Sequence, residues 1–513
     1  MTAHYDARRT AVPDARQTTH SGGGPPGADH PGGANKLAAR VARDIENDIR
    51  ALNWPIGEVL GSESELRTRY KVSRAVLREA IRLVEHHQVA AMRRGPAGGL
   101  VVREPDAGPA TNAMIVYLEF VGTTVEHVLA ARMLIEPLAA AMAAEHINEA
   151  GIARLRREVG RQDPPVTGAV LLNARNELHL VLAELSGNPA LRLFVDVLLR
   201  LTARYWHEGL DRRMEDGHPV VGEGHSAHEV IVSAVVAGEA SRAEFRACQH
   251  LEAVSEFILS AGPDPVPRPP SSIWGGTAPG HTQDQKLAEV VARRIITEIS
   301  EGGWTVGSVI GSETALLERF EVSRAVLREA VRLLEYHSVA RMRRGPGGGL
   351  VVAKPDPSAS IEAMALYLDY QQTEVAHLRA LRERVEIGCV DYVAAKAGDP
   401  EVAHRLRLAG KDDGTGPGRD DELPHRLHTE IAELSGNPVL SLFLRVLTTL
   451  WARQHAATML ELDHPLDAEL RATDRESVDL VHRSLVEALI AGDVSLARHR
   501  MRRHLETLTA WWN

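Results

Sequence analysis

The sequence predicts a mainly α chain in which a two-domain plan occurs twice, each time with one small β-hairpin. Three observations predict it. The nine residues Val72-Ser73-Arg74-Ala75-Val76-Leu77-Arg78-Glu79-Ala80 recur unchanged as Val322 to Ala330. After the first copy, a Gly/Pro turn separates two short apolar runs between Met92 and Val102, which is a hairpin signal, and the second copy repeats it. From about Thr111 to Ala261 the periodicity is helical almost throughout and strand signals are absent. With 513 residues, the chain is too long for a single core.

Taken in order, residues 1–33 are rich in Gly, Pro, Thr and Asp and read as a disordered tail. A helix follows from about Lys36 to Leu52, with Leu37, Val41, Ile45 and Ile49 on its inner face. Ser62-Glu63-Ser64-Glu65 is a capping box that opens a short helix. Ser73 is a good N-cap for the next one, with Val72 and Leu77 spaced as a hydrophobic staple. Leu77, Ala80, Ile81 and Val84 form a stripe to bury, and Arg74, Arg78 and Arg82 form a cationic ridge on another face. Two helices joined by so short a turn make a helix-turn-helix, and the hairpin after them, with Arg93 and Arg94 before its tip and Gly98 beyond, reads as a basic wing. Such a helix suits the DNA major groove. The expected DNA contacts are Ser73, Arg74, Arg78, Arg93, Arg94 and Gly98, and in the repeat Ser323, Arg324, Arg328, Arg343, Arg344 and Gly348. The net charge of −10 argues against indiscriminate nucleic-acid binding. Residues 67–103 nevertheless carry nine basic and two acidic side chains, +7, against seven and four, +3, in 317–353.

Pro105 marks a boundary, and the helical segments beyond it make an antiparallel bundle. Ser186-Gly187-Asn188-Pro189 punctuates it: Gly187 ends one helix, Asn188 caps the next, and Pro189 takes its first position. Residues 262–283 read as a Pro/Gly-rich linker, after which the plan repeats with an offset of 250 that drifts in loops such as Lys411 to Asp421. The expected domains are winged helices at 34–104 and 284–354 and helical bundles at 110–261 and 358–513. No run of 18 apolar residues predicts a membrane span, and no signal peptide is expected. Cys248 and Cys389 lack metal or redox spacing and read as buried thiols of a cytoplasmic protein.

Histidine forms a second constellation. His179, His228 and His250 fall in three predicted helices of the first bundle, and His428, His482 and His504 at matching places in the second, with a spacing of 22 between the last two in each copy. Three imidazoles converging inside a bundle can hold a divalent metal, zinc being the favoured ion, one per bundle; alternatively they are polar residues lining a wet pocket. Arg132 and Glu136 match Arg382 and Glu386. Each pair is either an ordinary i, i+4 ion pair or an arginine facing a pocket to meet a ligand carboxylate.

The order helix, capped helix, "VSRxxxREA" helix and Gly-rich wing resembles the GntR superfamily of bacterial transcription regulators, and each bundle resembles the FCD effector domain of its FadR branch. The resemblance covers roughly 34–261 and 284–513. It implies that the six histidines match metal ligands, that Arg132 and Arg382 line an effector pocket, and that the effector is a small organic acid. The family pattern also has an Asp four residues before the first histidine, where this chain has Arg175 and Pro424; His225 and Asp479 are candidate substitutes. The expected protein is not an enzyme but a ligand-responsive DNA-binding regulator, its two winged helices forming an internal pseudo-dimer on a two-fold operator, with further homodimerisation open. Alternatives are a metal-dependent hydrolase built on the histidines and a nonspecific architectural DNA binder.

Overall fold

The structure is a computed structural model. It describes residues 31–93, 95, 98–160, 169–205, 219–260, 283–343, 345, 347–410, 426–461 and 480–510. The tail up to residue 30, nearly all of the linker, the 411–421 loop, Arg94, Arg344, Pro424 and Asp479 lie outside the described residues. Among the described residues the protein is mainly helical, with two small three-stranded sheets.

In the first head, α1 (Pro31–Ala51), α2 (Glu63–Tyr70) and α3 (Arg74–His86) surround a core containing Ile45, Ile49, Leu66, Leu77, Ala80 and Val84, all buried. The Ser62 capping box forms as its sequence implies: the Ser62 hydroxyl accepts from Glu65 N, and Glu65 accepts from Ser62 N at 2.7 Å. Ser73 caps α3 by accepting from Val76 N at 3.3 Å. Each cap of this kind is worth about 1 kcal/mol. The turn between α2 and α3 passes through Lys71 at φ 53°, and its counterpart Glu321 has φ 52°. Both are left-handed positions that strain an L-residue.

The wing strands β2 (Ala90–Arg93) and β3 (Gly99–Val102) pair antiparallel, and a third strand that the sequence did not reveal, β1 (Val59–Gly61), pairs with the other edge of β3. β1 has three residues and a register shift, too few to show a period of two. Gly99 allows the approach: a Cβ there would lie 2.6 Å from the Gly61 carbonyl oxygen.

The first bundle comprises α4 (Ala107–Phe120), α5 (Val125–His146), α6 (Glu149–Val159), α7 (Ala169–Leu185), α8 (Pro189–Arg204), α9 (Pro219–Val236) and α10 (Ala240–Ser260). By composition α5 is apolar enough to cross a membrane, yet 78% of its most apolar window is buried inside the protein. Cys248, on α10, is only half-buried rather than fully buried, whereas Cys389 is buried. The second head has α11 (Gln283–Glu301), β4 (Val309–Gly311), α12 (Glu313–Phe320), α13 (Arg324–Tyr336), β5 (Ala340–Arg343) and β6 (Gly349–Val352). The second bundle has α14 (Ser358–Tyr370), α15 (Val375–Ala394), α16 (Pro400–Ala409), α17 (Arg426–Ser435), α18 (Pro438–Glu461), α19 (480–490) and α20 (Val494–Ala510).

The two bundles pack on each other through reciprocal contacts. Asn188 Oδ1 caps α8 while its Nδ2 donates to the His377 carbonyl at 3.0 Å; Asn437 caps α18 while its Nδ2 donates to the His127 carbonyl at 3.0 Å. The SGNP punctuation is therefore also a clamp between the copies. Phe194 stacks on Phe443 with ring centroids 3.9 Å apart. Gly388 lets α15 approach α5, since a Cβ there would lie 2.3 Å from Leu134 Cδ1.

Each head leans on the bundle of the other copy. Trp54 meets Tyr370 edge to face at 5.3 Å, and Trp304 meets Phe120 at 5.7 Å. Both tryptophans have φ 52°, a conformation that a bulky residue keeps only when packing enforces it. The contact between head one and bundle two also holds a buried polar network. His87 Nδ1 lies 2.5 Å from Glu46 Oε1, and Arg453 of α18 reaches Glu46 at 3.3 Å and Glu362 at 2.5 Å. Position 296, which corresponds to Glu46, is an isoleucine.

Candidate metal centres and nucleic-acid interface

The recognition helices present their arginines outward. Arg74, Arg78 and Arg82 are exposed while Leu77 and Ala80 of the same helix are buried, so one face docks and the other is available. Arg74 and Arg78 share Glu63 of α2, at 2.7 and 3.3 Å. In head two, Arg328 lies 3.9 Å from Glu313, and Arg324 is exposed. Pairs this exposed are worth under about 1 kcal/mol and yield readily to a phosphate or base edge. Ser73 and Ser323 are both N-caps. Arg93 and Arg343 end β2 and β5, and Arg343 donates to the Gly347 carbonyl at 2.8 Å. Gly98 and Gly348 close the wing turns by donating to Gly95 and Gly345 at 2.9 and 2.8 Å.

The helical order brings each histidine triple together. In each bundle the three ligand nitrogens all lie within 4.8 Å of one another, and all six histidines are buried. His228 Nε2 lies 3.1 Å from His250 Nε2. In the second bundle, His504 Nε2 lies 3.0 Å from His428 Nε2 and 3.1 Å from His482 Nε2. Two nitrogens on one tetrahedral zinc, at roughly 2.05 Å each, stand about 3.3 Å apart, so the clusters have the dimensions of a metal site. Burial pushes the His428 and His504 imidazoles well below their ordinary range, aided by Arg382 and His482 at His428 and by His428 and His482 at His504. Neutral imidazole is the form that ligates metal.

A carboxylate orients the first histidine of each set. Glu136 accepts from His179 Nδ1 at 2.7 Å, and Glu386 accepts from His428 Nδ1. Binding through Nδ1 directs Nε2 toward the other two rings, the arrangement in which a second carboxylate shell fixes a metal ligand. Burial pushes the Glu136 carboxyl up, but Arg132 and then His179 outweigh it and hold the group at about 2. The arginines expected at the pocket are thus engaged with these glutamates: Arg132 Nε and Arg382 Nε each lie 2.5 Å from the carboxylate one turn on. The sequence pairs Arg with Glu at i, i+4 but gives no sign of the Glu–His pair, whose members lie on different helices 43 and 42 residues apart. His225 does not join the triad; it is exposed and 3.7 Å from Glu229.

Comparison with known proteins agrees with this layout. The FCD domain family matches residues 127–253 and 377–507, and the family of bacterial regulatory proteins called gntR matches 37–100 and 287–350. The Exu regulon transcriptional regulator of Escherichia coli K12 is 24% identical over 225 residues, covering 44% of this chain and 84% of that protein. The Uxu operon regulator of Haemophilus influenzae is 28% identical over 244 residues, covering 45% and 86%. The HTH-type transcriptional repressor NanR of Klebsiella aerogenes is 26% identical over 237 residues, covering 44% and 86%. Under half of this chain thus accounts for most of each relative, as a tandem duplication requires. The chain belongs to the GntR family of bacterial transcription regulators, with the winged helix-turn-helix domain and the FCD domain each present twice in tandem.

Proposed function

We propose that this chain is a regulator of the FadR branch, working in the cytoplasm, that places both of its winged helices on one two-fold operator. Its DNA affinity responds to a small organic acid, held together with a divalent metal, zinc being the best match, in the FCD bundles. The observation that carries this reading is the buried Arg–Glu–His relay, which joins a guanidinium to a three-histidine cluster in both copies. His179, His228 and His250, and likewise His428, His482 and His504, would hold the metal, which when bound supplies a Lewis-acidic centre for ligand oxygens. Arg132 and Arg382 supply charge complementary to a carboxylate. The reciprocal packing of the bundles supports one chain acting where two identical chains otherwise pair. The hydrolase alternative gains nothing from the geometry, because the carboxylate that reaches each triad is already held by an arginine and a histidine.

The route to the DNA is short. Arg453 sits two residues beyond Trp451, whose ring lies against Arg382, and it reaches Glu46 in head one. In the other direction, Thr202 accepts from Arg132, and two residues on Arg204 pairs with Glu119, beside the Phe120 that meets Trp304 of head two. Each bundle therefore contacts the head of the other copy, which supports a coupling between the effector site and the DNA-binding face. The test is to sequence DNA fragments selected by the pure full-length protein. Two related half-sites at fixed spacing are expected. A featureless pool would sink the proposal.

A further inference from the structure

The two effector sites carry the same Arg, Glu and three histidines but differ in what faces the end of the arginine. In the first bundle, Arg132 is fully engaged: its Nε and one terminal nitrogen bind Glu136 at 2.5 and 3.3 Å, and its other terminal nitrogen donates to the Thr202 hydroxyl at 3.3 Å. The Thr202 hydroxyl in turn donates to the Leu198 carbonyl at 2.8 Å. In the second bundle, the residue equivalent to Thr202, fourteen positions beyond the capping asparagine in both copies, is Trp451. An indole ring cannot accept a hydrogen bond in its plane as a hydroxyl does. Arg382 keeps Glu386 through Nε at 2.5 Å, and its Cζ lies 5.1 Å from the Trp451 ring centroid. Both of its terminal nitrogens are buried without a hydrogen-bond partner among the described residues.

A guanidinium that is 1% exposed with two unpaired nitrogens is a costly arrangement, since a buried charged donor forfeits its water and receives nothing in return. The cation–π contact with Trp451 offsets only part of that loss. The two nitrogens present the fork that a carboxylate matches with both oxygens. In the first bundle Thr202 and Glu136 already fill that fork.

We propose that the two FCD domains are not equivalent: the second bundle is the acid-binding one, and Thr202 closes the first to carboxylates by satisfying Arg132. This rests on the reading of the bundles as organic-acid effector domains. The residue at position 202 or 451 is then the determinant of whether a bundle takes an acid, and one chain binds one carboxylate effector.

The experiment is hydrogen exchange by mass spectrometry on the zinc-loaded full-length protein, with acetate, the smallest carboxylate, and with citrate, each against chloride at equal ionic strength. The peptides compared span 375–394 and 125–146. Protection is expected in the second bundle only, about tenfold where the site is filled ten times over its Kd. Trp451→Thr should abolish it. Should that variant fail to fold, Thr202→Val keeps the side-chain shape but removes the hydroxyl that accepts from Arg132 and donates to the Leu198 carbonyl, and it should make the first bundle respond as well. Equal protection of both bundles in the natural protein, or protection of the first alone, overturns the asymmetry while leaving the effector reading intact. No protection in either bundle by either acid overturns both.

Discussion

Arg453→Met tests whether the second bundle holds the first head. The substitution keeps most of the apolar stem and removes the guanidinium. Two contacts go with it, to Glu46 at 3.3 Å and to Glu362 at 2.5 Å. Glu362 is 37% exposed and can be rehydrated, so its share is under about 1 kcal/mol. Glu46 has no exposed side-chain surface, and an abandoned buried charge costs about 3–5 kcal/mol. It keeps His87 Nδ1 at 2.5 Å, however, which brings the loss down to that of one charge-assisted bond, about 1.5–3 kcal/mol. The expected total is about 2–3 kcal/mol, or roughly 30- to 140-fold in the docking equilibrium. Hydrogen exchange in peptides covering 41–50 and 361–370 of the full chain reads it directly. Because Ile296 occupies the matching place in head two, Glu46→Ile added to Arg453→Met should recover more than half of the loss. The pH profile gives a second reading. Burial pushes the Glu46 carboxyl up, but His87 and Arg453 together hold it below its ordinary value. A group lowered in this way contributes stability above its unfolded value near 4.5 that is lost as pH falls. Without Arg453 the folded carboxyl lies closer to its unfolded value, so that acid loss should be smaller and should be complete at higher pH. Unchanged exchange at both peptides, or additive losses in the double variant, would refute the reasoning.

Three further outcomes are expected. Chelator should lower the melting temperature of zinc-loaded protein, by the equivalent of about 2.7 kcal/mol if the metal stood at a hundredfold over its Kd, and His228→Ala and His482→Ala should each remove part of that shift; a metal-free preparation indifferent to chelator would count against the metal. Lys71→Gly and Glu321→Gly should each stabilise their head by about 1 kcal/mol by relieving left-handed φ, read as a rise in melting temperature. Head one should grip DNA harder, so Arg78→Ala should weaken full-length binding more than Arg328→Ala, and the Arg328→Ala protein should keep the steeper salt dependence, about 0.9 per phosphate contact; equal slopes would sink this one.

What the sequence revealed follows the range of the forces involved. Ser62, Glu65, Ser73 and Asn188 act within three residues, so their caps were readable and appear in place. The stripe of Leu77, Ala80, Ile81 and Val84 is set by helical period and is buried as periodicity requires. The histidine triples could be named because their spacing repeats, although convergence itself depends on helix packing. The roles of Trp54, Trp451 and Arg453 were not readable. Each acts through a contact with a segment far along the chain: Trp54 meets Tyr370, Trp451 meets Arg382, and Arg453 meets Glu46. No periodicity encodes such a meeting. Arg175 illustrates the opposite limit, since the missing Asp of the family pattern was visible at once, while the carboxylate that binds the first histidine, Glu136, lies on another helix.

Fusing the two copies permits something that pairing two identical chains does not. In a symmetric dimer every substitution occurs twice, so a change that opens one effector site opens both. Here Thr202 and Trp451 stand at equivalent places with different hydrogen-bonding capacity, and Glu46 and Ile296 stand at equivalent positions of the two heads, one charged and one apolar. These two differences lie on the same line of contacts. The bundle with the unsatisfied arginine is also the bundle whose Arg453 reaches into a head, and that head is the one with the +7 surface. A ligand moves an equilibrium only through contacts that differ between two states. On this line a run of contacts leads from Arg382 through Trp451 and Arg453 of α18 to Glu46. On the other line Arg132 is already satisfied and Ile296 offers no charge to grip. On the function proposed above, the duplicated chain would divide its labour, one half sensing the effector and acting on the head with the more basic surface, the other holding the second half-site in place.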